Sequence, residues 1–109
     1  MFRNIFAATA VAAATIAAPA SAEPIRMFQD VWAAPAGDGT QHVIVVERVD
    51  RAGDTLITVG NGSGSTQFWI DCDTDSIATV VPGADSYPWR PVDHRLMEGW
   101  YSDVACYLN

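Results

Sequence analysis

The sequence contains no lysine. Its six cationic side chains are arginines, and one of them, Arg3, lies close to the N-terminus. From Glu23 onward five arginines face thirteen carboxylates, a net charge of −8 with neutral histidines. A surface of that sign repels phosphate backbones and anionic lipid headgroups, which disfavours nucleic-acid and membrane-surface binding. A cationic ligand or a basic protein is compatible with it, and the simpler role of the acidity is solubility.

Long apolar runs are also missing. The most apolar run, Ile5 to Ala18, is uncharged, mostly Ala with Val, Ile and Phe, and holds about 14 residues, whereas a membrane span needs roughly 17–25. Arg3 precedes it and the small-x-small triplet Ala20-Ser21-Ala22 follows, the order of a secretory signal peptide. Cleavage is expected after Ala22, with Glu23 as the new N-terminus and no cysteine there to carry a lipid. The reading is a signal peptide over 1–22 and one small secreted or periplasmic domain over 23–109, with no membrane insertion after signal removal.

Cysteine is scarce. Cys72 and Cys106 are the only two, no C-x-x-C is present, and two isolated thiols make a poor zinc site. In a short exported chain two cysteines usually pair. A domain of this size buries only about 60% of its unfolded surface, so the staple is useful. A Cys72–Cys106 disulfide is expected.

Catalytic signatures are absent as well: there is no G-x-S-x-G and no H-E-x-x-H. His42 and His94 are the only histidines. His42, at a strand entry, reads as a surface partner for a carboxylate, and His94 as an exposed turn or helix residue. Paired acids for glycoside hydrolysis stay open, because their separations are not legible in sequence. A short domain has little room for a deep cleft, so a non-catalytic protein with no cofactor is expected.

What is present reads as strands. Gln41–Val49, centred on Val43-Ile44-Val45-Val46, is followed by the turn Arg51-Ala52-Gly53-Asp54 and then by Thr55–Val59, a β-hairpin. The loop Gly60–Ser65 contains an Asn61-Gly62-Ser63 glycosylation triplet, to which no weight attaches. Thr66–Cys72 and Ser76–Val81 are further strands, and Pro82-Gly83 ends the second. Met27–Trp32 reads as a first strand and Ala33–Thr40, with Pro35, Gly37 and Gly39, as a loop. In Ala84–Gly99, Asp93 is expected to cap a single helical turn that Gly99 stops. Trp100–Leu108 reads as a closing strand carrying Cys106. The fold expected is mainly β: a small antiparallel sheet or partly open barrel of about five strands, with one short helix near the C-terminus. The disulfide would tie a central strand to the last one.

Asp71, Asp73 and Asp75 match the D-x-D-x-D opening of a calcium loop and are the candidate metal ligands. The match stops there, with Ser76 at the glycine position and Pro82 at the closing glutamate position. A solvated turn whose carboxylates bond nearby amides is the plainer reading. Aromatics are better represented, with Trp32, Trp69, Trp89, Trp100 and three tyrosines. Trp69 suits the core. Trp89, between two prolines, is the candidate for an exposed or groove-lining aromatic, although in so small a domain the balance of the reading falls on burial. Tyr87, Trp89 and Arg90 form the candidate binding group.

Trp69-Ile70-Asp71-Cys72, then Trp89-Arg90-Pro91-Val92, Gly99 and Val104-Ala105-Cys106 resemble the pattern of the bacterial surface-adhesin protein E-like family over about the last 45 residues. The resemblance implies an antiparallel sheet packed with a short helix, an exported location and binding of host or envelope macromolecules. The missing lysines and lipid-attachment cysteine depart from it, and no catalytic residue carries over. Four roles are in view. One is an exported binding module that recognises a protein or envelope polymer through a sheet face or the Trp89 loop. Another is an envelope structural or stress protein without a dedicated ligand, working by self-association. The third is a small hydrolase or metal-dependent enzyme, and the fourth an inhibitor of a basic secreted enzyme. Oligomeric state is not legible.

Overall fold

β-Branched residues at alternate positions build the sheet. The computed structural model describes residues 23–50 and 52–109, so the signal segment expected over 1–22 lies outside the described residues. Seven antiparallel strands follow one another in a meander: β1 (Ile25–Phe28), β2 (Val31–Pro35), β3 (Gln41–Val49), β4 (Thr55–Gly60), β5 (Ser65–Asp71), β6 (Ser76–Thr79) and β7 (Arg90–Pro91). The sheet stays open, with β1 and β7 as its edges. A helix, α1 (Met97–Asp103), runs directly into a π-helical segment, Val104–Leu108.

The register sorts side chains onto two faces. Trp32, Ile44 and Val59 share one rung across β2, β3 and β4. Val46, Ile57 and Phe68 make the next, and Thr55, Ile70 and Ile77 a third. These rungs form the core face. Together with Ala34 they pack against Val92, Tyr101 and Val104, with Met97, Ala105 and Cys106 at the margin. Ile44, Ile57, Ile70, Ile77 and Val104 are fully buried.

Three expectations are corrected. The run Met27–Trp32 is not one strand but the turn between two. β1 and β2 form a hairpin around Gln29-Asp30, and Asp30 takes a left-handed backbone with φ 65°. Aspartate tolerates that conformation better than most residues, so a tight turn forms without glycine or proline to announce it. Ala33–Pro35, expected in a loop, completes β2. With the two-residue β7, this brings the strand count to seven rather than about five.

The third correction concerns the C-terminus. Trp100–Leu108 is helical, not a closing strand. Trp100, Ser102, Val104, Cys106 and Leu108 alternate as a strand would, but Met97, Tyr101 and Val104 also recur at helical spacing. The isoleucine-rich core face needs a cover, and a helix supplies one where another edge strand would not. Asp93 does not cap α1. Leu96 stands at that position without a side-chain bond, while the Asp93 carboxylate accepts from the Arg95 amide.

Gly99 lies inside α1 instead of ending it. A Cβ there would sit 2.9 Å from Cα of His94, so the glycine allows the helix to approach the preceding backbone. Gly99→Ala in a helix ordinarily gains up to about 1 kcal/mol. Here the clash with main chain reverses the sign, and a loss of about 1–3 kcal/mol is expected. Urea unfolding of the variant measures it.

Candidate functional site

The disulfide fixes the helix to the sheet. Cys72 directly follows β5, Cys106 lies in the π-helical segment, and their Cα atoms are 5.7 Å apart. The expected pairing is present, but it ties a strand end to a helix, not strand to strand. A disulfide suits an extracytoplasmic location, and no helix among the described residues is long and apolar enough to cross a membrane.

Glu98 makes a second tie. Its side chain is 9% exposed and accepts both terminal nitrogens of Arg90 at 2.7 Å. The Asp93 amide donates to it as well, at 2.6 Å. Burial would raise the Glu98 carboxyl, but the Arg90 and Asp93 hydrogen bonds outweigh it and hold the group below its ordinary value. Arg90, expected in the binding group, is therefore engaged in holding β7 to α1.

Tyr101 makes a third tie. Its hydroxyl bonds Nδ1 of His42 on β3, and its ring lies 5.7 Å from that of Phe68. Burial, with the Glu98 charge adding to it, pushes Tyr101 up to about 12. The phenol is thus neutral across the physiological range. His42 partners this phenol, not the carboxylate that the sequence suggested. His94 does meet a carboxylate, Asp75 at 2.7 Å. That hydrogen bond comes first among the causes that raise the pKa of the half-exposed imidazole.

Two of the three aspartates of the D-x-D-x-D stretch bond different partners. Asp71 accepts the amides of Asp73 and Thr74 across the β5–β6 turn, and Asp75 is turned to His94. Among the described residues no group of three or more histidine, cysteine, aspartate or glutamate side chains is arranged to hold a metal ion. Asp50 and Asp54, from the β3–β4 turn, lie at the same end of the sheet. Burial, followed by the charges of Asp50, Asp71 and Asp73, raises Asp54.

The remaining candidates are presented unequally. Tyr87 is half-buried, and Trp89 is 45% exposed, which corrects the expectation of burial. Trp69 is half-buried, but on the face away from the core, with Arg48 5.6 Å above its ring. A shallow depression of about 430 Å³ is lined by Thr58, Ser65, Thr66, Gln67, Val80 and Pro82. None of these side chains titrates.

Sequence reasoning offered a sheet face as a binding surface but did not identify its residues. Phe28, Val31 and Val45 share one rung of the face away from the core, and Ile25, Ala33 and Val43 the next. Among the described residues no helix packs on this face, and Phe28, Ile25 and Val43 are 70%, 59% and 40% exposed. Toward the centre the apolar patch meets a polar ladder: Gln67 donates to Thr58, which donates to Glu47. The unbroken apolar run Val43-Ile44-Val45-Val46 in β3 was a signal that both faces of the strand are apolar. The turn at Asp30, which brings Ile25 and Phe28 beside it, was not legible.

Comparison with protein-family models, with curated proteins and with solved structures finds no match.

Proposed function

We propose that this chain is a small, non-catalytic binding module of the bacterial envelope or exterior, which captures a protein partner on the sheet face that the helix leaves bare. The observation that carries the reading is the exposed patch of Ile25, Phe28 and Val43 on that face. Monomeric soluble domains rarely leave contiguous apolar surface without a use for it. The net charge of −8 from Glu23 onward favours a basic partner. A secreted basic enzyme, inhibited by capture, is one form of that reading. The surface-adhesin protein E-like resemblance supports export and macromolecular binding, and an antiparallel sheet with a short helix is the fold it implies.

Immobilised protein exposed to envelope extract tests the reading. Val43→Glu places a charge in the bare face, and Trp89→Ala removes an exposed aromatic beside β7, at the opposite edge of the sheet. Retention of the captured partner is expected to fall at least about fivefold in Val43→Glu and to stay unchanged in Trp89→Ala, with unfolding midpoints unchanged in both. Retention unaltered by Val43→Glu contradicts the proposal.

A further inference from the structure

Two exposed turns set an asparagine or aspartate before glycine in the same way. In Asn61-Gly62-Ser63, between β4 and β5, Oδ1 of Asn61 accepts the Ser63 amide at 3.0 Å, and Gly62 has φ 91°. In Asp38-Gly39-Thr40, between β2 and β3, Oδ1 of Asp38 accepts the Thr40 amide at 3.0 Å, and Gly39 has φ 88°. All of these residues are exposed. The ring that such a bond closes runs through the side-chain Cγ and the glycine nitrogen and holds the two side by side.

The turns differ at the two atoms that would react. The Gly39 amide donates to the Ala36 carbonyl at 3.1 Å, whereas among the described residues the Gly62 amide has no acceptor. The Asp38 side chain ends in a carboxylate. The Thr40 hydroxyl, and then the Thr40 amide, hold it below the usual carboxylate range, and an ionised carboxylate resists attack by nitrogen. Asn61 instead offers an amide carbonyl beside a free backbone N–H.

We infer that Asn61 is a modification site, at which the chain itself converts the side-chain amide to aspartate and isoaspartate. A hydroxide ion removes the Gly62 amide proton, and the nitrogen attacks Cγ of Asn61 to close a five-membered succinimide. The Ser63 amide faces the oxygen on which negative charge develops. The Cγ–Nδ2 bond then breaks. Nδ2 takes a proton from water and leaves as ammonia, which regenerates the hydroxide. A further water opens the ring: at Cγ it gives aspartate, at the main-chain carbonyl isoaspartate. Gly62 suits the step, because without a Cβ its nitrogen is open to approach. Gly60, directly before the site, pairs with Val43. Either product therefore places a new carboxylate at the end of the rung that crosses the bare sheet face.

Peptide mapping of the folded protein after storage at mildly alkaline pH tests this, with isoaspartate detected by isoaspartyl methyltransferase labelling. Conversion is expected at Asn61 and none at Asp38. Asn61→Gln, which would have to close a six-membered ring, is expected to abolish it. Asp38→Asn gives the β2–β3 turn the same side chain, but its glycine amide must first leave Ala36. Conversion there is expected to be about tenfold slower than at Asn61, the equivalent of one backbone hydrogen bond. Asn61 retained in full after storage overturns the inference. Equal rates in the two turns of Asp38→Asn overturn the role given to the free Gly62 amide.

Discussion

Replacing Cys72 and Cys106 together by alanine is expected to lower stability by about 4 kcal/mol, because the bridge closes a loop over a separation of 34 residues. A domain of this size has a total stability of roughly 5–10 kcal/mol, so the loss is a large share of the whole. It falls unevenly. β2 to β5 are joined to neighbours on both sides by continuous pairing, whereas the helical C-terminus is held by packing, by the Glu98 and Tyr101 contacts and by this bond. The double variant should therefore lose helix protection first, while exchange protection in β3 and β4 persists to higher denaturant. The melting temperature should fall by roughly 20 °C. A change below about 1 kcal/mol would show that packing alone seats the helix, against the loop-entropy expectation.

Glu98→Ala is the second large effect. The substitution removes an acceptor of three hydrogen bonds from a nearly buried site. It leaves the Asp93 amide without its partner and the Arg90 guanidinium without its counter-ion. Hydrogen bonds to charged groups contribute about 1.5–3 kcal/mol. Arg90 is half exposed and returns to water easily, so the expected loss is about 2–3 kcal/mol, not the sum of three. Arg95→Ala, which breaks a solvent-exposed pair with Asp93, should leave the unfolding midpoint unchanged. The pH dependence has a definite sign. The Glu98 carboxyl is lowered in the folded state, so its stabilisation is complete above the unfolded value near 4.5. It is lost as pH falls through the lower folded value. Glu98→Gln should flatten this acid limb of the stability curve. An unchanged acid limb would mean that other carboxylates carry it.

The sequence was most informative where one physical signal dominated. β3 and β4 stood out because β-branched residues are concentrated on both sides of a glycine turn, and the disulfide because two thiols have one pairing. It was less informative where two signals competed. Trp100 to Leu108 satisfies both a period of two and a helical period, and only the need to cover Ile44, Ile57 and Ile70 decides between them. Gly99 looked like a helix stop because the backbone of His94, against which it fits, is placed by tertiary structure. Arg90 looked available because its partner, Glu98, becomes buried only when α1 docks. Asp30 turns the chain without glycine, so the hairpin that builds the edge and half of the apolar patch had no mark. The site is hard to read for the same reason: its residues come from strands whose register the sequence does not state.

A photo-crosslinking side chain placed at position 43, in the bare face, and in a second protein at position 107, on the helical C-terminus, tests the central claim most directly. Both positions are exposed in the free protein, at 40% and 76%. Irradiation in the intact envelope is predicted to give a discrete adduct with a basic protein from position 43 and none from position 107. Adducts of equal yield from both positions, or none from position 43, would contradict the assignment of the bare sheet face as the binding surface.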